Sequence, residues 1–318
     1  MLSSCFSPIK YSYGTAVRYT LFGRTRYRAS RRGGLIHPKH DPYFFNLRLF
    51  VLKHLLPYFW PAHHAGLIAQ LTGRDIQARY RRSWLGLAWL VLAPLLMLAI
   101  YTLVFRHVFQ VRWSASGEGN LAFALRLFTG LAVFNFFAEC ANRAPHLVLE
   151  QPSLVKKVVF PLEVLPWVSV LSATAQLLTA GAVLVLLRWL GMGSVPWSVL
   201  ALPLVWLPLV PLCLGLGWGL GALGPFVRDV GQVIGMLVSA LVFISPVFFP
   251  VEALPTRLQD WMWLNPLAPI MTQTRLILLD GDWPDISAWL WSFLSCMVVA
   301  AAGAGMFQRL RRGFADVI

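Results

Sequence analysis

Long runs of uncharged, mostly apolar residues limit what this chain can fold into. Five of them hold no Asp, Glu, Lys or Arg over 20 residues or more, namely 84–105, 164–187, 196–226, 230–249 and 286–307. About 20 helical residues cross the apolar core of a bilayer. Only 13% of the residues are charged, whereas about 25% are charged in soluble domains. The sequence therefore predicts an integral membrane protein.

A sixth, weaker span is predicted over residues 121–143, which contain charged side chains. We expect Arg126 to extend to the outer interface. Glu139 precedes Arg143 by four residues, the spacing of an ion pair on one helix. A functional relay through these groups is the alternative interpretation. Four prolines follow Pro250 in residues 250–285, which predicts short re-entrant helices on the outward side, between spans five and six.

The residues before the first span predict an amphipathic helix. One face carries Ala69, Gly73, Ile76, Tyr80 and Ser83. The opposite face carries Arg74, Asp75, Arg79, Arg81 and Arg82. Such a helix lies in the headgroup plane, with its arginines toward lipid phosphates and its apolar face in the acyl boundary. The alternative is a helix that only anchors the chain. The predicted fold class is thus an all-α integral membrane protein, with six transmembrane helices after an interfacial helix.

Three parts of the chain follow from this pattern. Residues 1–45 are a basic cytoplasmic arm, which we predict to be a disordered extension rather than a segment bound to anionic lipid. Residues 46–83 are interfacial amphipathic helices, and residues 84–318 are the six-span domain. Of the 27 Lys and Arg residues, 21 fall in the parts that this topology places in the cytoplasm. This asymmetry predicts that both termini are cytoplasmic.

Several function classes are excluded by the residues themselves. The net charge of +14 does not indicate nucleic acid, because the basic residues stand at the ends of apolar spans. The sequence contains no G-x-x-x-x-G-K-[ST] motif for a nucleotide, and no converging acids and bases for an enzyme. The four cysteines show no paired spacing, and the histidine pairs lack a carboxylate or cysteine in ligand register. We therefore predict no metal and no cofactor.

The pattern R-D-x-x-x-R-Y-x-x-S-x-L-G-x-x-W, followed by a proline, resembles the opening of polysaccharide-exporting ATP-binding-cassette permeases. It is formed here by Arg74, Asp75, Arg79, Tyr80, Ser83, Leu85, Gly86, Trp89 and Pro94. Four further stretches extend the resemblance, namely residues 154–166, 226–250, 265–278 and the C-terminal RRGFADVI. Together they run in order from about residue 70 to the C terminus.

This resemblance implies a homodimer of six-span subunits with two separate P-loop ATPase subunits. It also implies a channel in the inner membrane for a lipid-linked glycan such as O-antigen, capsule or teichoic acid. The runner-up is an exporter of a small lipid, drug or ion. A channel or scaffold without ATP coupling is the alternative from a different class.

Two sets of residues are candidates for the glycan and its lipid carrier. A smooth glycan channel needs aromatic side chains, and the candidates are Tyr101, Phe105, Phe109, Phe134 and Phe137. Many aromatic side chains in such spans instead face lipid or the core. Arginine grips phosphate through a planar fork, so the headgroup candidates are Arg74, Arg79, Tyr80, Arg81 and Arg82. They serve equally well to bind ordinary anionic lipid.

A chain without a nucleotide site must receive the motion of an ATPase through its cytoplasmic parts. We expect a short helix between Pro145 and Pro152 to make this contact. Leu147, Val148 and Leu149 are apolar but lie outside the predicted spans, which predicts that a partner covers them. Contact with lipid headgroups is the alternative. The candidate coupling residues are Pro145, Leu147, Leu149, Glu150 and Leu154.

Overall fold

The structure, a computed structural model, describes residues 58–59, 61–80, 85–104, 120–151 and 160–314. Every regular element in these ranges is helical. The predicted arm of residues 1–45 lies outside them. The α-helices are α1 (Ala65–Tyr80), α2 (Trp89–Leu103), α3 (Asn120–Arg143), α4 (Leu165–Met192), α5 (Leu202–Trp206), α6 (Leu209–Leu223), α7 (Val230–Ile244), α8 (Thr256–Met262), α9 (Leu267–Arg275) and α10 (Ile286–Leu310).

Four helical segments are long and apolar enough to cross a membrane, namely Leu121–His146, Leu162–Met192, Trp197–Leu223 and Ile286–Leu310. They correspond to the predicted spans two, three, four and six. Helices α2 and α7 fall in the predicted first and fifth spans but hold 15 residues each. That is about 22 Å of helix, less than the roughly 30 Å of an apolar bilayer core. α7 ends at Ile244 because Ser245 is extended, as the residue before a proline prefers.

Glycines allow α6 to pack with its backbone directly against neighbouring helices. A Cβ atom at Gly215 would lie 2.6 Å from the carbonyl oxygen of Val299 in α10. A Cβ atom at Gly303 of α10 would overlap the carbonyl oxygen of Gly215. On another face of α6, a Cβ atom at Gly217 would lie 2.7 Å from the side chain of Pro166 in α4. The packing role that the Gly-x-x-x-Gly spacing predicts is therefore confirmed.

Trp218 of α6 joins the start of α4 to the end of α10. Its side chain is fully buried, and its indole N–H donates to the carbonyl of Glu163 at 3.1 Å. The ring of Tyr58 packs edge-on against it, with centroids 5.6 Å apart. The carboxylate of Glu163 pairs with Arg311 at 3.0 Å. The Tyr58 ring also packs edge-on against Phe307 of α10, so this end of the helices is fixed by aromatic contacts, a hydrogen bond and an ion pair.

At the opposite end, two buried arginines hold the segment between α7 and α10. This segment contains α8, α9 and a π-helical turn over Leu276–Asp280, so the predicted short helices are present. Arg275 donates to the carbonyls of Arg126 at 3.0 Å and Val247 at 2.9 Å. Arg188 of α4 donates to two carbonyls at the end of the π-helical turn. Irregular backbone in apolar surroundings needs such partners.

The contact between α6 and α10 gives a prediction about stability. Gly303→Ala adds a Cβ atom where the carbonyl of Gly215 lies, whereas Gly305→Ala on the same helix adds one to open space. Both changes raise helix propensity by about 1 kcal/mol. We expect Gly303→Ala to be less stable than Gly305→Ala by about 1–3 kcal/mol, because overpacking shifts the backbone. Thermal unfolding of the two variants in one detergent measures this difference. Equal midpoints would contradict the close packing.

Candidate functional site

Helix α1 lies along the start of α4 through a narrow apolar face. Ile68 is buried and packs against Val164 and Val168. On the open face, Ala69 is exposed, and a Cβ atom at Gly73 would meet no atom within 4 Å. The described residues therefore leave Ala69 and Gly73 uncovered on the face that the sequence assigns to the acyl boundary.

Charged residues of α1 pair with charged residues of α3. Arg143 donates through both terminal nitrogens to the carboxylate of Asp75, at 2.8 and 2.9 Å. Arg79 donates to Glu139 and lies 3.6 Å from Asp75. Arg79, which the sequence assigns to a phosphate headgroup, therefore pairs with two carboxylates of the protein, because complementary charges of α3 face α1. We call these four residues the α1–α3 charge network.

This network was not predicted from the sequence, although the sequence contains a signal for it. In α1 an aspartate precedes an arginine by four residues, and in α3 a glutamate precedes an arginine by the same distance. Residues four apart lie on one face of a helix. When two such helices align antiparallel, each acid meets the arginine of the other. The predicted Glu139–Arg143 interaction is present as an electrostatic contact within this larger set.

The network pairs two arginines with two carboxylates and holds the carboxylate of Asp75 ionised. Burial by itself raises the pKa of Asp75, but hydrogen bonds from Arg143 and the nearby positive charges outweigh it and hold the pKa below the ordinary 3.8. The four side chains are 16–29% exposed, so water screens them only partly. A bidentate arginine–carboxylate pair fixes orientation as well as distance. Helix α1 is therefore attached to α3 in one defined position.

A polar cavity of about 390 Å³ opens beside the network, between α1, the end of α3 and the start of α4. Arg74, Glu150 and Ser169 are among the side chains that line it. Arg74 is exposed and makes no ion pair with the described residues. The Ser169 hydroxyl is buried and makes no hydrogen bond with the described residues. A free guanidinium beside such a cavity is suited to bind phosphate oxygens. The Tyr80 side chain, Arg81 and Arg82 lie outside the described residues.

The predicted coupling segment folds differently from the expected helix. A 3₁₀ turn spans Ala144–His146, and residues 147–150 form a turn. Leu147 is 7% exposed and Val148 is 1% exposed. The prediction that a partner protein covers these two side chains is wrong, because the subunit's own helices cover them. Of the other candidates, Pro145 is buried, Leu149 is half-buried, Glu150 is exposed and Leu154 lies outside the described residues.

The candidate channel aromatics separate into two groups. Phe134 and Phe137 are 4% and 9% exposed, and their rings contact each other with centroids 6.1 Å apart. Both therefore belong to the core of the subunit, and the prediction that they line a channel at its surface is wrong. Tyr101 is half-buried beside Phe248, with ring centroids 6.0 Å apart. Phe105 and Phe109 lie outside the described residues.

The charge network predicts a specific loss of stability in acid. Because the pKa of Asp75 is lower in the folded state, its ionised form stabilises the fold fully above the unfolded pKa of about 3.9. This contribution is lost as the pH falls through the folded pKa. Asp75→Asn should therefore flatten the stability profile below about pH 4. It should also lower stability near pH 7 by about 1–3 kcal/mol, because Arg143 loses its charged partner.

Thermal unfolding in detergent across this pH range measures the effect. Asp260→Asn is the matched control, since Asp260 is exposed on α8 and makes no ion pair with the described residues. If Asp75→Asn follows the same acid profile as the wild type and this control, the network does not stabilise the fold as argued.

Comparison with known proteins places this arrangement in a family. The O-antigen export system permease protein RfbA of Myxococcus xanthus is 27% identical over 258 residues, 80% of this chain and 96% of the relative. A protein of the same description from Klebsiella pneumoniae is 25% identical over 256 residues, 79% of this chain and 95% of the relative. The capsule polysaccharide export inner-membrane protein CtrC of Neisseria meningitidis serogroup B is 25% identical over 261 residues, 80% of this chain and 96% of the relative.

The resemblance that the sequence motifs indicate is confirmed, because the chain matches the sequence pattern shared by a transporter family. The family description is "ABC-2 type transporter", and it matches residues 66–279. This range contains the α1–α3 charge network, the polar cavity and most of the segment between α7 and α10. Because the match covers more than half of the sequence, the chain belongs to the ABC-2 type transporter family.

Proposed function

We propose that this protein is the membrane-spanning permease of an ATP-driven exporter for a lipid-linked polysaccharide, such as O-antigen or capsule. One observation carries the proposal. The chain aligns with 95–96% of the length of permeases named for O-antigen and capsule export. An alignment of that extent includes the helices and their connections as well as isolated motifs. The four apolar helices long enough to cross a membrane agree with a permease.

ATP hydrolysis takes place on a separate subunit in this proposal. The chain has no P-loop motif, so a partner must supply the nucleotide site. We propose two copies of that ATPase beneath a homodimer of this chain. The exposed apolar surfaces of α2 and α7 support a second copy. Leu98 is the buried residue of α2 and Val238 that of α7, so most of each helix is left to lipid or to another subunit.

The proposed topology has six spans, with α2 and α7 as the first and fifth. Both termini are cytoplasmic in this topology, and residues 46–83 lie at the interface. The distribution of 21 of 27 basic residues supports it. Helices α8 and α9 are then re-entrant on the outward side. The donation of Arg188 and Arg275 to backbone carbonyls supports this placement, because backbone at membrane depth must be satisfied within the protein.

The polar cavity beside α1 is the proposed site for the phosphate groups of the lipid carrier. Arg74 lines this cavity and is exposed, which supports a role in phosphate binding. Arg79 instead holds α1 in position through Glu139. Arg81, Arg82 and Tyr80 remain candidates from the sequence, and Tyr101 remains the candidate for the channel wall.

Deleting the gene tests the proposed function. We expect surface polysaccharide to disappear and lipid-linked glycan to accumulate inside the cell, because synthesis continues without export. Expressing the wild-type chain should restore both. Quantifying surface and intracellular glycan in the three strains measures this. A deletion strain with normal surface glycan but altered sensitivity to drugs or ions would favour the small-molecule exporter instead.

The exposed residues of the 144–151 segment are the proposed contact with the ATPase. Because Leu147 is buried in the subunit, its substitution would test packing rather than docking. Glu150 is exposed, so Glu150→Lys reverses a surface charge without altering the core. We expect it to reduce co-purification of the ATPase by about tenfold or more, since like charges at an interface cost several kcal/mol.

Asp260→Lys is the matched control, because Asp260 is an equally exposed acid on the proposed outward side. The amount of permease in the membrane should stay constant for both variants. If Glu150→Lys retains the ATPase as well as Asp260→Lys does, the N-terminal region becomes the candidate for the contact.

A further inference from the structure

A second cavity, of about 290 Å³, lies far from the α1–α3 charge network. Its walls come from α8, α9 and the first turn of α10, together with Val251 and Glu252. Asp285 caps the start of α10 by accepting the backbone N–H of Ser287 at 2.9 Å. The volume is close to the lower end of the range of about 300–1,000 Å³ for small-molecule sites. The cavity therefore suits one small unit, or a short part of a longer chain.

Most polar groups that line this cavity offer hydrogen-bond acceptors, and Thr272 adds one hydroxyl group, which both donates and accepts. Both charged residues that line it, Glu252 and Asp285, are carboxylates. Gln259 donates its amide nitrogen to the carbonyls of Glu252 at 3.3 Å and Leu254 at 2.8 Å. Gln273 donates its amide nitrogen to the carbonyl of Asp285 at 2.8 Å. These bonds use both amide hydrogens of Gln259 and one of the two of Gln273, and they leave the amide oxygen of each side chain to accept from a ligand. A ligand here must supply several donors.

An exposed tryptophan completes the cavity. Trp263 lines it together with Met262, and the Trp263 side chain is 54% exposed. The carbonyl of Trp263 accepts the indole N–H of Trp291 at 3.4 Å, which links this wall to α10. An indole ring offers a flat apolar surface with a negative face. Groups with weakly positive C–H bonds pack well on such a surface.

Acceptors around an indole match one class of ligand better than another. A sugar ring carries several hydroxyl donors on its rim and C–H groups on its faces, so it satisfies both kinds of wall at once. A primary ammonium group also binds carboxylates and indole rings, but its three donors lie at one point. Acceptors contributed by α8, α9 and the 251–252 segment are distributed around the cavity. This distribution favours the sugar.

We propose that this cavity binds a single sugar unit of the exported glycan, on the outward side of the membrane. Hydroxyl groups of the sugar donate to Glu252 and to the amide oxygens of Gln259 and Gln273. The ring faces Trp263. The inference rests on the proposed function, which supplies both the glycan and the outward orientation of α8 and α9. A site for one unit binds weakly and reversibly, so it retains an emerging chain without stopping its advance.

Binding of short oligosaccharides to the purified complex tests this inference. The probe is the source strain's own surface glycan, partly hydrolysed with acid, and the complex is held in phosphatidylglycerol nanodiscs. We expect Trp263→Ala to raise the Kd about tenfold, because an aromatic contact is removed. Glu252→Gln keeps the shape and removes the charge, and should raise the Kd about threefold to tenfold. Isothermal titration measures both.

Neighbouring residues provide the controls. Trp261 is 68% exposed and Asp260 is exposed, and both lie on α8 outside the cavity lining. Trp261→Ala and Asp260→Asn should change the Kd by less than about twofold. Unchanged thermal midpoints establish that all four variants fold. If Trp263→Ala binds the oligosaccharides as Trp261→Ala does, the sugar site is refuted.

Two further outcomes are decisive. The first comes from adding phosphatidylethanolamine to the nanodiscs. If it then stabilises the wild type but not Glu252→Gln, and the oligosaccharides do not bind, the cavity is a lipid-headgroup site and the inference is overturned. The gene deletion separates this failure from failure of the proposed function. Loss of surface glycan on deletion, without oligosaccharide binding, overturns the inference alone. Normal surface glycan on deletion overturns the proposed function itself.

Discussion

In the described structure, the fold depends on the contacts of the arginines that lie among apolar helices, and each of them has a partner. Arg143 binds the carboxylate of Asp75, and Arg126 binds that of Asp280 at 3.1 Å. Arg188 and Arg275 bind backbone carbonyls that the irregular segments leave open. A buried charge without a partner costs several kcal/mol. The positions of α1 and of the segment before α10 are therefore fixed by the arginines of α3, α4 and α9.

The two ends of the helices use arginine in different ways. Beside α1, arginines pair with carboxylates on another helix, and these contacts respond to pH and to competing phosphate. Around the π-helical turn, Arg188 and Arg275 bind carbonyls, which do not titrate, and Arg126 adds one pair with the carboxylate of Asp280. The first arrangement suits a helix that must release and rebind during transport, whereas the second suits a fixed framework. This difference agrees with the proposal that the carrier enters beside α1 and the glycan leaves near a rigid cavity beyond α9.

Apolar run length and glycine spacing predicted much of the fold, because both are local properties of the sequence. They located α3, α4, α6 and α10 and the close packing of Gly215. They overestimated α7, since proline at position 246 ends a helix that an apolar run alone would continue. The α1–α3 charge network was missed because its partners are sixty or more residues apart. Leu147 was misassigned for the same reason, since the helices that bury it come later in the chain.

The polar cavity connects the proposed carrier site to the proposed ATPase contact. Arg74 of α1 and Glu150 of the 144–151 segment line the same space, and Arg143 joins their two elements through Asp75. Glu150 lies only seven residues after Arg143, so a short stretch of backbone transmits a force on Glu150 to Arg143. Through the bidentate pair it then reaches the helix that carries Arg74. In the proposed exporter, motion of the ATPase thus changes the shape of the cavity directly. No separate relay through the membrane helices is required to couple hydrolysis to release of the carrier phosphate.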